Sequence, residues 1–200
     1  TIYADPPWRY ENSATRGSVG ERSAKSTTGS TAGYDGTMSI EEICALPVAQ
    51  LAAADSHLHL WTTNGLLFDA KRVIEAWGYE YKSCFVWVKP QMGMGNYWRV
   101  SHEFLLFAVR GKAKFGDHAI KSWGEYPRGQ HSEKPHQVRR LIEGVSPGPR
   151  LELFGRGAHP GWFVWGNQAD RRHLFTLAIP HVDSAAVGDE PILTLDLGTA

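Results

Sequence analysis

Four consecutive residues near the start of the sequence, Asp5-Pro6-Pro7-Trp8, combine a carboxylate, a rigid turn and an aromatic ring. The two prolines fix φ and remove two backbone donors, and a residue before a proline is held in an extended conformation. The segment follows the β-like stretch 1–4, and open α/β sheets bind ligands at the carboxyl ends of their strands. We therefore expect a stiff turn that presents preorganised hydrogen-bond acceptors at a ligand site.

This turn suits a planar ring that carries an exocyclic amine. Oxygen atoms of Asp5 and of the turn can accept the amine hydrogens. Trp8 can stack on the ring, as aromatic side chains do on bases in nucleic-acid sites. The alternative is a tight turn without chemistry, whose tryptophan fills the core. The strand before the turn, the long polar loop after it and a matching segment far along the chain favour the functional interpretation.

Apolar periodicity predicts the elements that position this turn. Strands are predicted at 1–4, 57–61, 84–88, 104–109, 151–154 and 162–165. Helices are predicted at 39–46, at 64–77 and from Lys134-Pro135 to Val145. A capping box at Ser39 and Glu42 marks the start of the first helix. The pattern indicates one α/β domain at 1–168, followed by an unassigned C-terminal tail at 169–200.

The composition fits a single domain without a strong overall charge. The 200 residues are 42% hydrophobic and 21% charged, which allows one substantial core. The 21 basic and 21 acidic residues balance, so any attraction to phosphates has to come from a local patch. Cys44 and Cys84 are isolated, which fits a reducing cytoplasm. No apolar run has the length of a membrane span, so no membrane partner is predicted. Because the sequence begins at Thr1, we expect a fragment or a processed chain.

Two polar loops are predicted to lie over the site. The loop 11–36 is rich in Ser, Thr and Gly, and its role as a lid or nucleic-acid contact, against plain disorder, stays open. The loop 89–101 interrupts two buried strands and is the second candidate. His57 and His59 share a strand face, but no carboxylate or cysteine spacing supports a metal site. No metal is therefore predicted, and these histidines are expected to be packed or hydrogen-bonded.

Further short motifs follow the first one in a fixed order. They are Tyr34-Asp35-Gly36-Thr37-Met38-Ser39, Leu60-Trp61, Trp87-Val88-Lys89, His102-Glu103, Glu133-Lys134-Pro135, Ser146-Pro147-Gly148, Phe154-Gly155-Arg156 and Gly166-Asn167-Gln168. Together with Asp5 to Trp8, this series resembles the adenine N6-methyltransferase family that includes the catalytic subunit of the eukaryotic mRNA adenosine methyltransferase and bacterial and phage relatives. The resemblance covers about residues 1–168.

The resemblance implies a Rossmann-like, S-adenosylmethionine-dependent methyltransferase of permuted order, with the catalytic motif before the cofactor-binding segment. Its reaction would be methyl transfer to the exocyclic N6 amine of adenine in nucleic acid. The matching catalytic positions are Asp5, Pro6, Pro7 and Trp8. The matching cofactor positions are Asp5, Lys134, Phe154, Gly155, Arg156, Asn167 and Gln168. The substrate-side candidates are Tyr34, Trp61, Lys89, Trp98 and Arg99.

Several alternatives accompany this interpretation. DNA is favoured over RNA as the substrate, because the sequence has no zinc knuckle or RRM signature. RNA adenosine methylation, a non-catalytic nucleic-acid-binding subunit, and an enzyme acting on cytosine or a small-molecule amine stay open. A cytoplasmic protein encoded by a bacterium or phage is expected, and both a homodimer and a heterodimer are compatible with the family.

Overall fold

The computed structural model describes residues 1–10, 37–93, 97–129 and 133–166. The predicted loop at 11–36, the tail at 169–200 and the site candidates Tyr34, Asn167 and Gln168 lie outside the described residues. Within the described ranges, none of the helices combines the length and apolar character needed to cross a membrane.

Seven strands form one mixed sheet in the described part of the chain. They are β1 (Ile2–Ala4), β2 (Ser56–Thr62), β3 (Glu80–Val88), β4 (His102–Arg110), β5 (Trp123–Glu125), β6 (Leu151–Leu153) and β7 (Phe163–Trp165). Their order across the sheet is β5-β3-β4-β2-β1-β6-β7. β4 runs antiparallel to both neighbours, whereas all other pairs are parallel. The carboxyl ends of the six parallel strands therefore meet at one edge of the sheet, here called the carboxyl edge, together with the amino end of β4.

Four α-helices accompany the sheet in the described ranges. They are α1 (Ile40–Cys44), α2 (Val48–Leu51), α3 (Leu67–Ala76) and α4 (His136–Val145), with a 3-10 turn at Asn64–Leu66 before α3. The predicted capping box is confirmed. The Ser39 hydroxyl accepts from the Glu42 backbone N–H at 3.1 Å, and a Glu42 carboxylate oxygen accepts from the Ser39 backbone N–H at 2.6 Å.

Side chains alternate across β1, and this alternation divides the interior into two cores. Ile2 and Ala4 pack in one cluster with residues of α1, α2 and α3, whereas Tyr3 packs in the other with residues of α4. All three residues of β1 are buried. The protein is therefore a three-layer α/β/α arrangement with β1 covered on both faces.

β1 lies where the strand order reverses. The chain continues from β1 to one side through β2, whereas β6 and β7 build the other side. Ile2 aligns with Leu151 and Ala4 with Leu153. Ligands of open α/β sheets bind in the crevice at such a reversal, outside the carboxyl ends of the strands. The turns after β1 and β6 are thus positioned to form a ligand site.

The six predicted strands are confirmed, with shifted ends. β3 begins at Glu80, four residues before the predicted start at Cys84. The prediction missed these four residues because they are exposed and lack the apolar run of a buried strand. β5 and α2 are not predicted from the sequence. β5 has three residues with a central glycine, and α2 is a four-residue helix directly after Pro47, so neither is long enough to repeat an apolar pattern.

His57 and His59 belong to a buried network in β2. The Ser146 hydroxyl oxygen lies 2.9 Å from His57 Nδ1 and 2.8 Å from His59 Nε2. His57 Nε2 lies 3.2 Å from the Ala113 carbonyl oxygen, so it must be a donor. Nδ1 then accepts from Ser146, and His59 Nε2–H donates to the hydroxyl. Hydrogen-bonded histidines are thus confirmed at these positions, and no three His, Cys, Asp or Glu side chains cluster as a metal site within the described ranges.

We expect the stability of the fold to decrease in acid, because this network requires neutral imidazoles. Burial lowers the pKa of His59 to about 3, and burial also lowers the pKa of His57. A histidine in an unfolded chain titrates near a pKa of about 6.5, so the unfolded state takes up protons first as the pH falls. The contribution of these groups is therefore complete above about pH 6.5 and is lost progressively toward about pH 3.

Thermal unfolding between pH 8 and pH 5 measures this effect. His59→Gln should reduce the pH dependence of the melting temperature, since one of the two buried imidazoles is removed. His118→Gln is the matched control, because it removes an exposed histidine that lies outside this buried network. The same pH dependence in His59→Gln and the wild-type protein would contradict the assignment.

Candidate active site

Four side chains of alternating charge meet at the carboxyl edge. Asp5 directly follows β1, Lys134 precedes α4, and Glu103 is the second residue of β4. Lys134 Nζ donates to Asp5 Oδ2 at 2.8 Å and lies 3.4 Å from Glu103 Oε2. Glu103 also pairs with Lys89, which directly follows β3. The series Asp5, Lys134, Glu103, Lys89 therefore connects the ends of three strands with the start of a helix.

Burial and these ion pairs together determine the proton affinities. Burial raises the pKa of Asp5, although Lys134 acts in the opposite direction. Burial by itself would lower the pKa of Lys134, but Asp5 and Glu103 outweigh it and raise the pKa. Burial would raise the pKa of Glu103, yet Lys134 and Lys89 hold that pKa below its usual value. Lys134 and Glu103 are thus charged at neutral pH, and Asp5 is a carboxyl with increased affinity for a proton.

Two tryptophan rings line the floor of the site, beneath the ammonium groups of Lys134 and Lys89. Lys134 Nζ lies 5.6 Å from the ring centroid of Trp61, and Lys89 Nζ lies 4.4 Å from that of Trp87. The lysine side chains are only 13% and 11% exposed, and cation–π contacts are strongest when the cation is desolvated. Trp61 and Lys89 are both substrate-side candidates from the sequence. The structure places both on the floor of the site, where Trp61 contacts Lys134 and Lys89 contacts Glu103.

The two prolines are held by backbone hydrogen bonds. The Trp8 N–H donates to the Pro6 carbonyl at 2.8 Å, and the Met38 N–H donates to the Pro7 carbonyl at 2.8 Å. A carbonyl oxygen has two lone pairs, so the Pro6 oxygen can still accept a further hydrogen. The turn after β1 therefore keeps an acceptor in a fixed position beside the Asp5 carboxylate.

The sequence suggests that the Trp8 ring is available for stacking, but the structure buries this ring. Its side chain is 6% exposed and belongs to the core formed with α1, α2 and α3. Its Nε1–H donates to the Trp61 carbonyl at 3.0 Å, which satisfies the only polar atom of the buried ring. This geometry favours the alternative interpretation, in which the indole fills the core under the turn. Stacking of Trp8 on a base stays a prediction.

The turns after β6 and β7 pack backbone against backbone. Phe154 has a φ of 66°, a left-handed conformation that is uncommon for a residue with a side chain and is typical of ligand sites. A Cβ on Gly155 would lie 2.4 Å from Val164 Cγ1. A Cβ on Gly166 would lie 2.0 Å from the Gly155 carbonyl oxygen. Glycine at position 166 is therefore required for the two turns to approach each other, whereas a side chain at position 155 would displace the Val164 side chain.

The structure brings the described cofactor candidates to the carboxyl edge. These are Asp5, Lys134, Phe154, Gly155 and Arg156. Burial is the main cause of the raised pKa of Asp5, and Arg156 acts in the opposite direction, as Lys134 does. The other cofactor candidates, at positions 167 and 168, lie outside the described residues. Trp98 and Arg99 lie on the loop between β3 and β4, where Trp98 is 89% exposed.

One functional pair is missed by sequence reasoning. Glu152 in β6 accepts from Arg139 Nη2 of α4 at 3.0 and 2.9 Å. Their side chains are 11% and 18% exposed, so the pair attaches α4, and with it Lys134, to the sheet. A charged residue inside a buried strand needs a partner. The glutamate between Leu151 and Leu153 is the signal that could have indicated this pair.

Glu103 appears in the sequence analysis only as part of a motif, without a role. The structure gives it one, since its carboxylate contacts both Lys134 and Lys89. Local sequence offers no comparable signal, because Glu103 lies at the start of a strand where a polar residue is common.

One family profile and several known proteins are similar to this chain. The profile of the MT-A70 family matches residues 1–168. The type II methyltransferase M.MunI of a Mycoplasma species is 34% identical over 175 residues, which cover 82% of this chain and 75% of that protein. The human N(6)-adenosine-methyltransferase catalytic subunit METTL3 is 30% identical over 154 residues, which cover 70% of this chain and 26% of METTL3. An MT-A70-like protein of Drosophila melanogaster is 31% identical over 150 residues, covering 68% of this chain and 24% of that protein.

Gly166→Ala should destabilise the site, because the new Cβ would meet a backbone oxygen that has little freedom to move. Gly157→Ala is the matched control, since nothing lies within 4 Å of a Cβ at that position. We expect Gly166→Ala to lower the free energy of unfolding by about 1–3 kcal/mol. Gly157→Ala should change it by no more than about 0.5 kcal/mol. Urea unfolding measures both, and equal stability of the two variants would contradict the close approach of the turns.

Proposed function

Because the chain belongs to the MT-A70 family, we propose that it transfers a methyl group from S-adenosylmethionine to the exocyclic N6 amine of adenine in nucleic acid. The family resemblance predicted from the motifs is confirmed by the profile match. METTL3 is named as an N(6)-adenosine-methyltransferase and M.MunI as a type II methyltransferase, in agreement with the predicted activity. The observation that carries the proposal is the Asp5 carboxylate at the carboxyl end of β1, 2.8 Å from Lys134 and at the reversal of strand order.

We infer a Rossmann-like methyltransferase of permuted order. β6 and its glycine-containing turn come late in the sequence, but β6 lies beside β1 in the interior of the sheet. This placement supports an order in which the catalytic motif precedes the cofactor-binding segment. The match of the family profile to residues 1–168 supports the same range as the methyltransferase domain. The role of the tail at 169–200 is not assigned.

The residues present are suited to S-adenosylmethionine, which supplies an electrophilic methyl group on a sulfonium centre when bound. The Lys134 ammonium is complementary to a carboxylate, and the Asp5 carboxylate is complementary to an ammonium group. The amides of Asn167 and Gln168 suit bidentate hydrogen bonds to ribose hydroxyls. Phe154, Gly155 and Arg156 complete the set in the turn after β6.

Asp5 and Pro6 are the acceptors that would activate the target amine. The amine of adenine is a poor nucleophile, because its lone pair is delocalised into the ring. Asp5 Oδ2 accepts from Lys134, so Oδ1 is the oxygen that would accept one amine hydrogen, while the Pro6 carbonyl accepts the other. Two fixed acceptors direct the lone pair toward the methyl group. Positioning of this kind can contribute up to about 7–11 kcal/mol to catalysis.

The proton balance of the reaction requires no strong base. Methyl transfer would form a bond from the amine nitrogen to the methyl carbon as the carbon–sulfur bond breaks, and would leave the nitrogen as a cationic and very acidic aminium. Its proton passes to Asp5 and then to water. The pKa of Asp5, raised by burial, makes this carboxylate a better proton acceptor than an exposed aspartate. Lys134 keeps the same carboxylate in place.

DNA is the substrate that we favour. The similarity to M.MunI extends over 75% of that protein, whereas the similarity to METTL3 is confined to 26% of its length. The identity to METTL3 keeps RNA adenosine as the second candidate. The intact Asp5-Pro6-Pro7-Trp8 segment argues against a non-catalytic subunit. Assembly as a homodimer or heterodimer stays a prediction.

Nucleoside mass spectrometry tests the proposal. The protein is incubated with labelled S-adenosylmethionine and with either DNA or RNA of the same sequence, and the nucleosides are then separated. N6-methyladenine in the DNA sample is the expected result. Label found only in cytosine, or only in RNA, would replace the proposal by one of its alternatives.

Asp5→Asn should abolish turnover while the fold is retained. The amide presents one acceptor and one donor in place of two acceptors, and it removes the charge that pairs with Lys134. We expect the rate of methyl transfer to fall at least about 100-fold. Asp69→Asn is the matched control, because Asp69 forms a surface pair with Arg72 on α3. Wild-type turnover in Asp5→Asn at an unchanged melting temperature would disprove the mechanism.

Lys134→Ala should weaken binding of S-adenosylmethionine. A hydrogen bond to a charged group contributes about 1.5–3 kcal/mol, so the dissociation constant should rise about 10-fold or more. Asn167→Ala and Gln168→Ala should weaken binding in the same direction. Lys71→Ala, which removes a surface ion pair, is the control. Calorimetry measures all four variants, and unchanged affinity in the first three would refute the assigned cofactor site.

A further inference from the structure

The most exposed large aromatic side chains in the described ranges are adjacent on the loop between β3 and β4. Tyr97 is 95% exposed and Trp98 is 89% exposed. Met92, on the same loop, is 71% exposed. Single exposed apolar residues are common on protein surfaces, but several on one loop indicate an interaction site. Tyr97 and Trp98 are called the aromatic pair below.

The base of this loop is fixed at the carboxyl edge. Beyond the ends of the two strands, the Lys89 N–H donates to the Ser101 carbonyl at 2.7 Å, and the Gly93 N–H donates to the Val100 carbonyl at 2.9 Å. A Cβ on Gly93 would lie 2.1 Å from the Val100 oxygen, so the two sides of the loop touch backbone to backbone. Lys89 also pairs with Glu103 of the active site. The aromatic pair therefore extends from the edge at which Asp5 lies.

Arginine side chains accompany the aromatic pair. Arg99 follows Trp98 directly in the sequence, and Arg128 Nη2 lies 3.2 Å from the position that a Cβ on Gly93 would take. Guanidinium groups bind phosphates and also stack on planar rings. Exposed rings with nearby cations are the components of surfaces that bind unpaired nucleic-acid strands. An apolar protein partner would offer no acceptors to these guanidinium groups, so their presence favours nucleic acid as the occupant.

We propose that the aromatic pair stacks on unpaired bases that flank the target adenine. The proposal rests on the proposed function, because it assumes that the Asp5 edge receives an adenine from a nucleic-acid strand. A base inside a duplex must be flipped out at an energetic cost, and this cost is smaller when the base is already unpaired. Stacking of the flanking bases on Tyr97 and Trp98 offsets part of it. The protein therefore prefers adenines in single strands, bulges or weakly paired regions over adenines in a stable duplex.

Binding of a fluorescently labelled single-stranded oligodeoxynucleotide with one adenine tests the proposal. In the double variant Tyr97→Ala/Trp98→Ala, the dissociation constant from fluorescence anisotropy should rise about 5- to 150-fold for each stacked base that is lost. The preference for the single strand over a duplex of the same sequence should decrease. The KM for S-adenosylmethionine should stay unchanged, because the cofactor candidates lie elsewhere along the carboxyl edge.

Two further variants serve as controls. Trp98→Phe keeps a ring and should retain most of the affinity for the oligonucleotide. Tyr81→Ala removes an aromatic residue that is 42% exposed at the opposite, amino end of β3 and should bind as the wild type does. The melting temperature of the double variant should also be unchanged, since the rings it removes are exposed.

Wild-type affinity in the double variant would overturn the proposal. A changed oligomeric state with unchanged affinity for the oligonucleotide would assign the pair to a contact between two copies of the chain and would overturn it as well. Anisotropy does not depend on methyl transfer. Absence of N6-methyladenine with the wild-type protein would therefore count against the proposed function, whereas the stacking of bases is decided by binding alone.

Discussion

The ion pair between Asp5 and Lys134 is the contact on which the rest of the structure depends. Its partners are 129 residues apart in the sequence, so it forms only when β6 lies beside β1 and α4 packs over the sheet. Lys134 also contacts Glu103, so its ammonium keeps an acidic partner when Asp5 is replaced by asparagine, whereas loss of Lys134 would leave the buried Asp5 carboxylate without its cation. Glu103 and Lys89 extend the same requirement to β3 and β4. The order of the strands therefore determines which acidic and basic side chains are paired in the site.

Most elements could be predicted from the sequence because their signals are local. A continuous apolar run or a capping box such as Ser39 and Glu42 is complete within a few residues. The exposed first half of β3 and the three residues of β5 carry no such signal, because they become strands only by pairing with a neighbour already in the sheet. The order of strands across the sheet is likewise a property of distant contacts, and only the family resemblance indicated it.

The site was predictable in its residue types and less so in its geometry. The motifs identify Asp5 and Lys134, but a motif does not specify which side chains the fold buries. Trp8 directly follows the two prolines of the turn, yet its indole lies in the core, because the chain turns back to pair with Met38. The partner of Glu152 is on a helix that no local pattern connects to β6. Burial and pairing depend on the register between distant segments, so they required the structure.

The position of β1 between two neighbouring strands has a consequence for how the chain folds. The second neighbour of β1 is β6, and Ile2 pairs with Leu151. The long stretch of chain between these two residues must therefore close into a loop before the sheet is complete. During synthesis the first strand therefore leaves the ribosome long before β6 exists, with one hydrogen-bonding edge uncovered. Pro6 and Pro7 begin one residue beyond the end of this strand and lack the N–H groups by which another chain would extend the pairing. The same two residues that shape the turn after β1 thus also end the stretch with which another chain could pair.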